Sequence, residues 1–158
     1  MVYLPKSAWA LLMLAGGVSA SGLIAGQAGA RAELIGSTVP DLPLRCGVRI
    51  NLMSAEEALV ITHSLTLHVP YESVNTLEYG QHVGRRYAEA ILISPLILLS
   101  KARKHFVTVG YTDANGRQQA LVFRVSKDDI RMTLVSLEAR TGRRVEFQDD
   151  DARKAGKG

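Results

Sequence analysis

The tetrapeptide Asp113-Ala114-Asn115-Gly116 constrains the fold of this chain more than any other feature, because of what flanks it. Val107, Val109 and Tyr111 recur at every second position before it, and Leu121, Phe123 and Val125 do the same after it. That period places each triplet on one face of a strand. Asn-Gly supplies the positive φ that a tight hairpin needs. The segment therefore reads as an antiparallel hairpin, and the fold must contain an antiparallel sheet with an apolar face.

A helix follows directly. Ser126 can cap its N-terminus, with Asp129 completing a short capping box and Asp128 and Asp129 at the positive end of the helix dipole. Ile130, Leu134 and Leu137 form one apolar stripe, and Gly142 supplies the stop. Val145 and Phe147 predict a short edge strand.

Upstream, residues 46–50, 58–63 and 65–69 read as strands, with Leu65, Leu67 and Val69 on one face and Thr66 and His68 on the other. Residues 54–57 look turn-like. Pro70 cannot continue a central ladder, so the third of these strands ends there. Val74, Thr76 and Glu78 alternate with Asn75, Leu77 and Tyr79 in a further strand that stops at Gly80. Gly36, Pro40 and Pro43 mark residues 33–43 as linker. The expectation is an α+β fold: an antiparallel sheet or partly open barrel of about six to seven strands with one C-terminal amphipathic helix, preceded by an N-terminal hydrophobic signal or anchor helix.

Strands followed by one capping helix resemble pleckstrin-homology-like domains, including GRAM-type modules. Leu67-His68-Val69-Pro70-Tyr71-Glu72-Ser73-Val74 looks like the strand-Pro-Tyr-turn-strand element of such domains. Tyr79-Gly80-Gln81, Val83-Gly84-Arg85-Arg86, Leu99-Ser100-Lys101, Lys104-His105-Phe106, Lys127-Asp128-Asp129 and 137–142 resemble a group of uncharacterised bacterial exported proteins. The resemblance covers roughly residues 69–147. It implies a fold and transfers no activity, since members of this superfold mostly bind lipids, peptides or partner proteins.

The N-terminus points to export. Lys6 precedes an uncharged run, residues 7–26, rich in Ala, Leu, Met and Gly, and Ala30-Arg31-Ala32 fits a small-x-small cleavage site. An uncleaved anchor is the alternative, because the run is long enough to span a bilayer. The chain thus divides into a signal peptide or anchor over 1–32, a linker over 33–43, a domain over 44–148 with a hydrophobic insertion at 84–104, and a disordered tail over 149–158. The only cysteine, Cys46, permits no intramolecular disulfide and reads as buried or idle.

That insertion departs from the pattern of a water-soluble domain. Residues 88–100 are nearly all apolar, with Ile91, Leu92, Ile93, Leu96, Ile97, Leu98 and Leu99 as the bulk. Arg85 and Arg86 precede them, and Lys101, Arg103 and Lys104 follow. These five basic residues are opposed only by Glu89, so the segment carries the whole net charge of +4. A nucleic-acid binder spreads its charge along a face, so none is expected as a partner. As a helix the run would reach about 20 Å, short of the roughly 30 Å hydrocarbon core. Two readings stand: a loop, kinked helix or strand packed on the domain, or an interfacial insertion whose basic flanks meet anionic head groups. A protein-docking surface is a third.

Catalytic motifs are absent: there is no nucleophile elbow, phosphate loop or dinucleotide fingerprint. His63, His68, His82 and His105 lack metal-ligand spacing, and no cofactor is expected. Asp113-Ala114-Asn115-Gly116 lacks the distal Glu of a calcium loop. The sequence favours a non-enzymatic, membrane-associated binding or scaffold module of the periplasm or cell envelope. The alternatives are a small exported enzyme with an unannounced pocket, or a structural subunit that buries the apolar run in a homo-oligomer.

Overall fold

A computed structural model describes residues 29–81 and 104–157. The expected N-terminal helix lies outside them. The strands are β1 (Ala30–Ser37), β2 (Cys46–Asn51), β3 (Glu57–Ile61), β4 (Thr66–Pro70), β5 (Val74–Gly80), β6 (His105–Thr112), β7 (Gln118–Val125) and β8 (Glu146–Phe147). A 3-10 turn, Tyr71–Ser73, separates β4 from β5, and two helices follow β7: α1 (Ile130–Thr141) and α2 (Asp150–Lys157). The fold is α+β, an open sheet in the order β4-β3-β2-β1-β7-β6-β5-β8. Every pairing is antiparallel except that of β5 with β8.

The hairpin forms as its sequence requires. β6 and β7 pair from His105↔Val125 to Thr112↔Gln118, and Gly116 takes φ 76° in the turn. The Asp113 carboxylate organises this turn by accepting from the backbone N–H of Asn115 and Arg117, each at 2.9 Å, and from Gln119 Nε2 at 2.9 Å. The Gln119 contact, followed by the backbone donors, holds its pKa down at about 2.

Four expectations are corrected. Residues 33–37 are not linker but belong to β1, which lies between β2 and β7 near the middle of the sheet. Gly36 stands at a bulge opposite Val122 rather than in a turn, and the prolines fall beyond the strand. The sheet accordingly has eight strands, more than the six or seven expected. A second bulge between Val74 and Thr76 turns Val74 to the buried side that Leu77 and Tyr79 share, which strict alternation had placed opposite. Finally, the tail expected to be disordered forms α2, and its Ala152 is fully buried.

Ser126 closes a hydrogen-bonded turn ahead of α1, its Oγ donating to Asp129 Oδ2 at 3.0 Å and its carbonyl accepting from Ile130 N–H at 3.0 Å. Gly142 ends the helix at φ 67°, its N–H donating to the Glu138 carbonyl. Ile130, Leu134 and Leu137 bury the predicted stripe in one cluster with Leu34, Tyr79, Val107, Val109, Leu121 and Phe123. Ala152 of α2 joins the same cluster. The two helices therefore pack on one face of the sheet.

The other face carries a smaller apolar patch, beside the Glu33–Arg124 ion pair. Ile35, Phe106, Thr108, Ala120 and Val122 are buried yet stand outside that cluster. Alternation along β6 and β7 puts Phe106, Thr108, Ala120 and Val122 opposite Val107, Val109, Leu121 and Phe123.

Candidate functional site

The register brings several chain ends to one end of the sheet. Ala30 pairs with Ile50, Ala32 with Val125, His105 with Val125, and Gly80 with Phe106. The starts of β1 and β6 and the ends of β2, β5 and β7 therefore lie together. Neighbouring strands are spaced by about 4.8 Å, so β1 and β6 begin roughly 10 Å apart, with β5 one strand further. The polypeptide outside the described residues, 1–28 and 82–103, leaves from this end at both sites.

Of the residues expected to contact a membrane or partner, only Lys104 is described; it is half-buried just ahead of β6. Arg85, Arg86, Ile91, Leu92, Ile93, Leu96, Ile97, Leu98, Leu99, Lys101 and Arg103 lie outside the described residues. Among the described residues, no helix is long and apolar enough to cross a membrane.

The same end carries a feature the sequence did not announce. A cavity of about 490 Å³ runs between α1 and the adjoining ends of β1 and β2, lined by Gly29, Ile50, Met53, Met132, Val135 and Ala139 among others. Met53, Met132 and Val135 are 73%, 71% and 64% exposed, whereas side chains of this kind elsewhere in the described residues are mostly buried. Met132, Val135 and Ala139 follow one another at helical spacing, so α1 is apolar on two faces. That second stripe was the available signal, and Ile130, Leu134 and Leu137 masked it.

Next to the exit of residues 82–103, Tyr79 Oη and His105 Nδ1 are 2.6 Å apart, with the rings stacked at 6.0 Å. Burial, reinforced by the Lys127 ammonium, lowers the His105 pKa, and burial, with the Asp149 carboxylate, raises that of Tyr79. Both groups are therefore held neutral near pH 7. Elsewhere, His68 Nδ1 meets Glu57 Oε1 at 2.9 Å on an exposed surface. Cys46 is half-buried, its thiol donating to the Pro43 carbonyl at 3.1 Å. Among the described residues, no three His, Cys, Asp or Glu side chains are placed to hold a metal ion. The chain matches no protein-family model, and no curated protein is similar to it.

Proposed function

We propose that this protein is a non-catalytic binding or scaffold module of the cell envelope, associated with a membrane through residues 85–104. The observation that supports the reading is the shared exit: the described chain gives way to two apolar stretches of sequence, one of them bordered by basic residues, at the same end of the sheet. A fold that gathers both at one end can present that end to a bilayer while the rest of the sheet stays in water. Near an anionic surface each basic residue contributes about 1 kcal/mol, and Arg85, Arg86, Lys101, Arg103 and Lys104 flank a single segment. Exposed Met53 and Met132 add apolar surface at the same end.

The scaffold proposed is pleckstrin-homology-like. Supporting it, β1 to β4 form one antiparallel meander and β5 to β7 another, joined through β1 and β7, with α1 packed after the last strand of the second. Residues 7–26 would deliver the chain to the envelope, as a leader that is removed or as an anchor that stays.

The test is sedimentation of the full chain with vesicles containing phosphatidylserine. Binding is expected, weakening steeply with salt, and replacement of Arg85, Arg86, Lys101, Arg103 and Lys104 by Gln should reduce it at least tenfold. Equal sedimentation with and without vesicles ends the membrane reading.

A further inference from the structure

We infer that the cavity between the 3-10 turn and the C-terminal end of α1 binds a small basic amino acid, a molecule carrying one carboxylate and two ammonium groups. The Tyr71 hydroxyl marks the place. Pro70 ends β4, and the Tyr71 N–H then donates to the Glu56 carbonyl at 2.9 Å, which folds the turn back onto the start of β3. The Tyr71 ring joins the core cluster and is only 4% exposed. Its hydroxyl is the one buried side-chain oxygen or nitrogen among the described residues that has no hydrogen-bond partner there. Buried polar groups are almost always bonded, and an unbonded one weakens the fold until something fills its place.

The surroundings of that hydroxyl are charged. Tyr71 lines a cavity of about 640 Å³ with Glu56, Glu57, Glu72 and Arg140 among others, a size ordinary for a small-molecule site. The Arg140 guanidinium and the Glu57 carboxylate both act on the Tyr71 hydroxyl, so it faces this lining rather than the apolar core. Glu57 is braced by His68 Nδ1 at 2.9 Å. Among the described residues, no salt bridge takes up Glu56, Glu72 or Arg140. Three carboxylates and one guanidinium give the lining a net charge of −2. The C-terminal end of α1, the negative end of its dipole, adds to this.

Charge complementarity selects the occupant. A planar guanidinium takes a carboxylate through paired hydrogen bonds, and the three carboxylates suit ammonium groups. A plain diamine would set a like charge against Arg140, and an amino acid with a single ammonium would leave the acidic excess in place. A bare metal ion does not fit, because no three described His, Cys, Asp or Glu side chains are placed to hold one. One carboxylate with two ammonium groups matches the lining, and the Tyr71 hydroxyl, donor and acceptor in one, bonds to either kind of group. The site uses none of residues 85–104, so it goes beyond the membrane reading and stands without it.

Isothermal titration calorimetry on the full chain tests this, with L-lysine as the probe and cadaverine, the diamine that lacks its carboxylate, as the comparison. Saturable lysine binding is expected, at least tenfold tighter than cadaverine binding. Arg140→Gln should bring lysine down to the cadaverine level and leave cadaverine no weaker. Tyr71→Phe keeps the ring in the core and should weaken lysine binding at least fivefold. Glu56→Gln combined with Glu72→Gln should do the same, and the exposed positions of both residues spare the fold. No saturable heat with lysine up to about 10 mM overturns the proposal. So does equal affinity for lysine and cadaverine, or lysine binding that either the Tyr71→Phe or the double Gln variant leaves unchanged. An unchanged affinity in Tyr71→Phe would mean that the hydroxyl is met by water alone.

Discussion

Tyr79 and His105 meet on the helix-covered side of β5 and β6, where the last residues of one strand approach the first of the other. With the imidazole neutral and its proton on Nε2, Nδ1 accepts from the Tyr79 hydroxyl at 2.6 Å. Protonating the ring makes Nδ1 a donor in a partly buried site beside the Lys127 ammonium, and both effects oppose it. The folded protein therefore binds this proton less readily than the unfolded chain, whose histidine titrates near 6.5. Stability from this source is complete above that value and falls as pH drops below it. Tm is expected to decrease between pH 7.5 and pH 5.5, and His105→Gln, which keeps a hydrogen-bonding side chain without the titration, should flatten the decrease. An identical pH dependence in wild type and variant would remove His105 as its source.

At the scale of elements, what could be read in advance was whatever the chain settles locally. The β6–β7 hairpin was legible because Asn115-Gly116 fixes the turn and alternation fixes the faces. The α1 stripe was legible because Ile130, Leu134 and Leu137 repeat at helical spacing. β1 was not, since Gly36 in isolation looks like a turn and becomes a bulge only when β7 lies beside it. Strict alternation puts Val74 on the wrong side for the same reason, because a bulge is a property of two strands. The tail is the clearest case. Asp149-Asp150-Asp151 and the basic residues after it look like solvated chain, but Asp149 Oδ1 accepts from the Ala152 N–H at 2.6 Å and starts a helix. Ala152 then packs into the core, and a Cβ on Gly156 would lie 2.7 Å from Phe147 and 3.2 Å from Tyr79, so small residues let α2 sit close. Ala152→Glu places a charge in that contact and is expected to lower the unfolding free energy by about 2 kcal/mol in urea titrations. An unchanged midpoint would mean that α2 does not dock in solution.

For the molecule as a whole, β1 is the strand that holds two meanders together, pairing with β2 on one side and β7 on the other. The candidate end was half legible for this reason: the apolar runs and the basic flanks are visible in the sequence, but that the described residues adjoining them lie at one end of the sheet depends on β1 joining the halves. The same strand limits where a leader can be cut. Ala30-Arg31-Ala32 fits the cleavage pattern, yet Ala30 pairs with Ile50, Arg31 with Arg49, and Ala32 with both Val48 and Val125. A cut after Ala32 would strip these pairings from the joining strand at a net cost of roughly 1 kcal/mol for each hydrogen bond lost. Gly29, by contrast, is a turn residue ahead of the ladder, with φ 126° and no room for a Cβ, which would lie 2.5 Å from the Ile50 carbonyl oxygen. Gly26-Gln27-Ala28 also places small residues at the positions a signal peptidase requires. If the leader is removed, the mature chain is expected to start at Gly29 or earlier, so that β1 enters the sheet whole. Mass spectrometry of the protein recovered from cells expressing the full chain measures this directly. A stable, folded product beginning at Glu33 would show that the two meanders hold together without the first three residues of β1.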